Sequence, residues 1–394
     1  MKICIDTRSI HPHMAPLAAS VRDFLPESDS LTYVYRSTPN DPNRAKGAKG
    51  LVDDIAKYWD GNASGVARDT VLLSDVLIEN HRDFCLIEER LRNSRLTIYQ
   101  SERWFKPINV GVLLPGFLRM LFPFGIKRAI KMMRLFRAGK YFYYFPLGEH
   151  ASRDMARMCG LMNGDWKCLF RAPAIDFERK PCGRIWLRGG GDESKYCLDK
   201  MRMWGYFVLK SKDECSDRAH LKGRDALRLL WVGRMLALKN VDVIIKAVRK
   251  LEKVNTNASS QSAITLDIYG NGPDEKRLKR LARGCERYIR FHPSAPYEEI
   301  RKIMHEHNVY VFCSNALEGW GAVLNEALEE GMKVVSSSDA GAATVLLPKE
   351  CLFKARDVNH LEELLRSPIP KAGIGVWSVE SAARNLIDFM GDVV

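Results

Sequence analysis

The chain has 394 residues, a formal net charge of +13, 46% hydrophobic and 28% charged residues. That length leaves room for two domains with a core each, and the balance is ordinary for a soluble globular protein, with no repeats or low-complexity runs. The positive charge comes without zinc-finger spacing, an RNA-recognition signature or a helix-turn-helix pattern, so nucleic acid is not the expected partner.

Met1–Asp6 reads as a first β-strand, its apolar run being too short for a signal peptide. Further strands are expected at Leu31–Tyr35, Val71–Ile78, Leu96–Tyr99, Tyr141–Phe145 and Trp204–Leu209, with helices at Ala15–Phe24 and Glu149–Cys159. Strands alternating with helices predict a parallel sheet. Thr38–Asn43 and Arg188–Asp192 read as surface loops. His11 and His13 follow the first strand. Tyr99–Trp104 follows the strand at Leu96, at the sheet edge where ligands bind. His13, Ser101, Glu102 and Arg103 are therefore candidates for a ligand cleft.

The charge is concentrated. Ser101–Lys140 holds nine Lys or Arg against one acid, Glu102. Pro115, Arg119 and Pro123 argue against a transmembrane span there. Over Ile126–Arg137 a helical wheel puts Ile126, Ala129, Ile130, Met132, Met133 and Phe136 on one side. Lys127, Arg128, Lys131 and Arg134 lie on the other, with Leu135 and Arg137 as misfits. A basic amphipathic helix of this kind suits an anionic membrane surface, and Val110–Lys140 is the expected docking segment. The ten cysteines are scattered with no Cys-x-x-Cys, which argues for a reducing compartment and against a zinc site or a disulfide framework.

After the charged stretch Lys210–Glu214 a second domain is expected to begin near Ala219–Arg224. Leu229–Val232 is an apolar strand running into Gly233-Arg234 and Lys239, before a helix at Val241–Val248. Arginine grips two oxygens in its fork and lysine adds a point charge, so the loop suits a diphosphate. Ile264–Tyr269 is a strand ending in Gly270-Asn271-Gly272-Pro273, with a helix starting near Asp274. Val309–Cys313 is a buried strand followed by Glu318-Gly319-Trp320-Gly321 and, two turns into the next helix, Glu326. Strand, glycine turn and helix offer N–H groups to an anion. The paired carboxylates suit hydroxyl groups beside it. Val334–Ser338 is one more strand, and Ser378 caps a closing helix.

In order and spacing, these segments resemble the retaining, nucleotide-sugar-dependent glycosyltransferases of the GT-B fold, and among them the family 4 type. The matched residues are Gly233, Arg234 and Lys239, then Gly270, Gly272 and Pro273, then Glu318, Gly319, Gly321 and Glu326, over roughly residues 227–394. The resemblance implies an α/β protein of two Rossmann-like domains facing each other across a cleft. The expected boundaries are 1–218 for an acceptor domain, 219–376 for a nucleotide-sugar domain, and 377–394 for a helix crossing back and tying the halves together. It implies catalytic roles for Arg234, Lys239 and Glu318, and puts His13, Ser101, Glu102 and Arg103 on the acceptor side of the cleft. Donor contacts would come from Gly233, Gly270, Gly272, Gly319, Trp320, Gly321 and Glu326, with Glu318 on sugar hydroxyls and Glu326 on the ribose.

No Asp-x-Asp occurs in the sequence, so cations are expected in place of a metal, and no cofactor is expected beyond a UDP- or GDP-sugar substrate. The first domain departs from the family: His11-Pro12-His13-Met14 stands where glycines are usual. The expected setting is cytoplasmic, peripheral at the inner membrane face, with a glycan or lipid-linked acceptor for surface polysaccharide or glycolipid synthesis. A nucleotide-sugar epimerase on the same fold, and a non-catalytic scaffold, are the alternatives. Arg234, Lys239, Glu318 and Glu326 speak against the scaffold, and the basic apolar stretch speaks against the epimerase.

Overall fold

The computed structural model describes residues 1–37, 48, 50–60, 65–80, 83–109, 113–114, 116–169, 175–179, 185–189, 193–209, 227–255 and 264–394. The expected loop at 38–43, residues 190–192 of the loop expected at Arg188–Asp192, the charged stretch 210–214, the boundary at 219–224, and residues 110–112 and 115 of the basic segment lie outside them, while Arg188 and Gly189 end a strand instead of forming a loop. The chain divides into two compact units, Met1–Val208 with Gly375–Val394, and Leu209–Ile374.

Unit 1 begins with β1 (Lys2–Ser9), α1 (Ala15–Phe24), β2 (Ser30–Ser37), β3 (Ala56–Tyr58), α2 (Val66–Leu73), β4 (Val76–Glu79), α3 (Phe84–Arg92) and β5 (Leu96–Ser101). A two-residue ladder, β6 (Ile108–Asn109) with β7 (Leu113–Leu114), precedes α4 (Pro123–Phe136), β8 (Phe142–Pro146) and α5 (Glu149–Met162). An antiparallel pair, β9 (Ile175–Arg179) and β10 (Ile185–Gly189), follows. The main sheet runs β3-β2-β1-β4-β5-β8, all parallel. Its central strands are buried almost throughout, as a sheet covered on both faces requires.

Unit 2 repeats the plan with β11 (Leu227–Val232), α6 (Val241–Asn255), β12 (Ile264–Tyr269), α7 (Glu275–Leu281), β13 (Ile289–His292), α8 (Tyr297–His305) and β14 (Val309–Phe312). It continues through α9 (Val323–Glu329), β15 (Lys333–Ser337), α10 (Ala343–Leu346), β16 (Leu352–Phe353) and α11 (Val358–Arg366). Its parallel sheet runs β13-β12-β11-β14-β15-β16. Counted within its own unit, each sheet has the order 3-2-1-4-5-6 of doubly wound nucleotide-binding folds. The α12 helix (Val379–Val393) belongs to unit 1, packs on α1 and buries Val379, Ala382, Ala383, Leu386, Phe389 and Met390. Ser378 caps it, its hydroxyl accepting from the Ser381 N–H.

Three local expectations need correcting. Val71–Leu73 closes α2, and the strand begins only at Val76. A short apolar run carries no period, so helix and strand cannot be told apart there by pattern. Trp204–Leu209 forms no strand. It makes a single bridge to Leu147 and buries Trp204, Phe207 and Val208. On α4 the wheel is turned: the buried face is Gly125, Ala129, Met132, Met133, Leu135 and Phe136, while Ile126 and Ile130 are 42% and 40% exposed. Leu135, expected as a misfit, is core.

Unit 2 also holds an ionic knot around the buried Asp267. Asp267 on β12 accepts from Arg290 at 2.7 Å and bonds His292 at 2.6 Å and His307 at 3.1 Å. Burial pushes its carboxyl up, but these hydrogen bonds outweigh that effect and hold it well below the usual carboxylate range. A depressed folded pKa means the stabilisation is complete above the unfolded value, about pH 4, and fades as pH falls below it. Asp267→Asn should therefore cost about 1–3 kcal/mol in urea melts at pH 7. The gap to wild type should narrow in melts below about pH 4; a gap independent of pH would refute this account.

Candidate functional site

In a doubly wound sheet the two central strands send their connections in opposite directions, which leaves a crevice at their carboxyl ends. In unit 2 those strands are β11 and β14, paired Leu229 to Val309 and Leu230 to Tyr310. The loop after β11 carries Gly233, Arg234 and Lys239. The loop after β14 carries Glu318 to Gly321.

Backbone contacts fix these loops to each other. The Gly233 N–H donates to Tyr269 O at 3.0 Å, and the Met235 N–H to Asn271 O at 2.7 Å. Gly270 has φ +131°, and a Cβ there would stand 2.0 Å from Gly233 O. A Cβ on Gly272 would stand 2.4 Å from Met235 O. Both glycines are thus required by the approach of one loop to the next. On the other side, Asn240 donates its side-chain N–H to Cys313 O at 3.1 Å, and the Asn315 N–H reaches Leu238 O at 2.9 Å. The turn at Gly319 is held by the loop after β15, with the Gly341 N–H on Gly319 O at 3.0 Å and the Ala342 N–H on Trp320 O at 2.9 Å.

This frame brings Lys239 and Glu318 into an ion pair, each side chain 17% exposed. The Lys239 ammonium also lies 5.4 Å from the centre of the Phe312 ring. Arg234 is exposed and makes no ion pair among the described residues. The N–H groups of Gly319 and Gly321 have no acceptor among the described residues. Together these are donors and a cation facing solvent at one sheet edge, with one carboxylate among them. An incoming diphosphate would find Arg234, the remaining Lys239 protons and the loop N–H groups.

Two candidates take different positions from those expected. Trp320 is fully buried and donates its indole N–H to Asn325 Oδ1 at 2.7 Å. Its ring is packed inside unit 2, not exposed on the turn. Glu326 is the fourth residue of a seven-residue helix and only 2% exposed, in its first turn rather than two turns along. The Tyr310 phenol is pushed up mainly by burial, with the Glu326 charge adding to it. So short a helix adds little dipole, and anion binding here rests on the cations and the loop.

The comparisons bear on this frame. Residues 213–369 match the family model described as Glycosyl transferases group 1. That match falls within unit 2. A D-inositol 3-phosphate glycosyltransferase of Frankia alni is 29% identical over 191 residues, 45% of this chain and 46% of that protein. The chain thus spans less than half the length of that curated relative. The lipopolysaccharide outer core galactosyltransferase WaaB superposes over all of both chains with TM-score 0.60 at 12% identity. Anabaena HepE in complex with UDP gives 0.56 at 14% identity, over 100% of this chain and 96% of that one. The fold is GT-B.

In unit 1, the carboxyl edge of the sheet sorts its candidates. Ser101 is buried, its hydroxyl shared with the Tyr144 hydroxyl at 2.9 Å and accepting from the Trp104 indole at 2.9 Å. Arg103 grips Asp154 on α5 with two bonds of 2.7 and 3.1 Å. Both are engaged in holding the loop. Glu102 remains partly open, bonded to Lys106 at 3.1 Å and reached by the Tyr206 hydroxyl at 3.4 Å. His13 stacks on Tyr206 at 4.9 Å, with His11 5.3 Å from both rings. Burial first, and then Glu102, push the Tyr206 phenol up, so it stays a donor. Sequence reasoning missed Tyr206, since a tyrosine in an apolar run reads as core. Glu102, His11, His13 and Tyr206 are what this edge offers.

Gly270→Ala should test the frame. The added methyl must push the Gly233 loop aside, costing about 1–3 kcal/mol of stability in thermal melts. It should also weaken nucleoside-diphosphate binding, though Gly270 bears no side chain to bind with. Wild-type stability and affinity together would show that the loops do not need this contact.

Proposed function

We propose that the protein transfers a sugar from a nucleoside-diphosphate donor to a glycan or lipid-linked acceptor, with retention of configuration and without a divalent metal. The observation that carries the reading is the Lys239–Glu318 ion pair at the central crevice of unit 2, with Arg234 on the same loop as Lys239. As the glycosidic bond breaks, its electron pair goes to the departing phosphate oxygen. Arg234, Lys239 and the N–H groups at Gly319 and Gly321 stabilise that growing charge. Glu318 holds donor sugar hydroxyls, and its pairing to Lys239 fixes the distance between the sugar and phosphate subsites. Glu326 serves the nucleoside end.

No nucleophile and base stand together at this edge among the described residues. That favours front-face attack: the acceptor oxygen bonds the anomeric carbon on the side the phosphate leaves, and its proton passes to the leaving oxygen. Glu102, His11, His13 and Tyr206 are the acceptor-side groups in unit 1. UDP is the first nucleotide to try, because the Anabaena protein of this fold was crystallised with it. The proposed setting is the inner face of a membrane in polysaccharide or glycolipid synthesis. No helix among the described residues is long and apolar enough to cross a membrane. The membrane partner rests instead on the exposed face of α4.

Calorimetry with UDP and GDP tests the phosphate site. Arg234→Ala should lose about 1.5–3 kcal/mol toward the preferred nucleotide. Glu318→Gln should keep most of that affinity while lowering turnover. Unchanged affinity in Arg234→Ala would remove the assignment.

Transfer should also persist in excess EDTA. The warrant is the missing Asp-x-Asp and the two cations in its place. Activity abolished by chelator and restored by magnesium or manganese would show that the phosphate site has been misread.

A further inference from the structure

The described residues expose nine large apolar side chains, and four of them fall within nine residues: Phe122 (60%), Phe124 (69%), Ile126 and Ile130. Phe122 and Phe124 stand at the start of α4. Pro123, Ile126, Lys127, Ile130, Arg134 and Arg137 follow at helical spacing along one exposed face. The opposite face is anchored by Met132, Met133, Leu135 and Phe136, with Phe136 edge-on to Phe142 of β8 at 5.6 Å. The exposed stripe is therefore not core awaiting a better packing.

Charge singles it out again. From Arg103 to Gly148 the sequence has nine cations and no acid. Solvated helices of unit 2 pair their cations along the helix: Lys246 with Asp242, Lys279 with Glu275, Arg366 with Glu362. On α4, Lys127, Arg134 and Arg137 have no ion-pair partner among the described residues. Arg128 lies 5.1 Å over Phe124, and Lys131 lies 4.7 Å over Phe84.

We propose that this stripe, with Phe122 and Phe124 at its head, is an interfacial docking surface for an anionic lipid bilayer. The helix is about 21 Å long and cannot span a hydrocarbon core of about 30 Å, so it lies in the plane of the surface. Ile126 and Ile130 enter the acyl boundary, and the cations extend sideways to lipid phosphates. A protein partner would favour an apolar centre with a polar rim, whereas here cations and isoleucines alternate along one face. The inference deepens the membrane setting proposed above. Its readout is binding, so it stands or falls apart from the transfer reaction.

Flotation of the full chain with vesicles tests it, comparing phosphatidylcholine alone with phosphatidylcholine containing phosphatidylglycerol. Wild type should float only with the anionic vesicles. Changing Lys127, Arg134 and Arg137 to Gln together should weaken that binding about a hundredfold, roughly fivefold per cation. Phe122→Ser with Phe124→Ser should leave binding at low salt and lose it at moderate salt, where charge is screened. Retained UDP binding and melting temperature in both variants would assign the loss to the surface itself. Flotation of the Gln variant equal to wild type, or no flotation of wild type, overturns the proposal. So does a dimer that the Phe variants dissociate without any vesicle binding, which would make the stripe a protein interface. If UDP binding fails while wild type still floats, the donor reading fails and the docking surface stands.

Discussion

Everything at the edge of the second sheet depends on how closely its loops approach one another. Gly233 meets Gly270, and Met235 meets Gly272, at distances that leave no room for a Cβ. Asn240 and Asn315 then tie the first loop to the strand on the other side. A charged loop left to itself would spread its cations into water. Cross-tied in this way, it presents them at set positions before any ligand arrives, which is where most of the electrostatic advantage of a binding site lies. The glycines contribute by what they lack, and the cations beside them can act because of it.

The two units share one topology and differ in chemistry. The edge of the second sheet is cationic, with one carboxylate held by Lys239. The corresponding edge of the first sheet carries imidazoles, a phenol and Glu102, and its arginine is neutralised by Asp154. A doubly wound sheet fixes where its loops emerge, and the residues in those loops are free to differ. That division is consistent with a charged donor on one unit and a polyhydroxylated acceptor on the other, as proposed.

Much of this was legible in the sequence where signals were local. The strands of unit 2 are short apolar runs bounded by glycine, and the loop residues follow them at fixed spacing. The pairing of Lys239 with Glu318 was not legible, because 79 residues separate them and only the pairing of β11 with β14 brings them together. Trp320 shows the opposite limit: its place in a glycine turn suggested a ligand contact, but a large apolar ring beside a crevice gains more from burial. On α4 the apolar residues outnumber what one face can hold, so composition could not say which would be left outside. Packing chose Leu135 and left Ile126 and Ile130 in the open.

The division of the chain into units also constrains its synthesis. Residues 375–394 belong to unit 1, yet they follow the whole of unit 2 in the chain. At roughly 5–20 residues per second, α1 waits on the order of tens of seconds for the helix that covers it. Unit 2 is complete before then and can close its sheet first. Until α12 arrives, the apolar side of α1 is open to chaperones, so the unit that starts first is the one that finishes last.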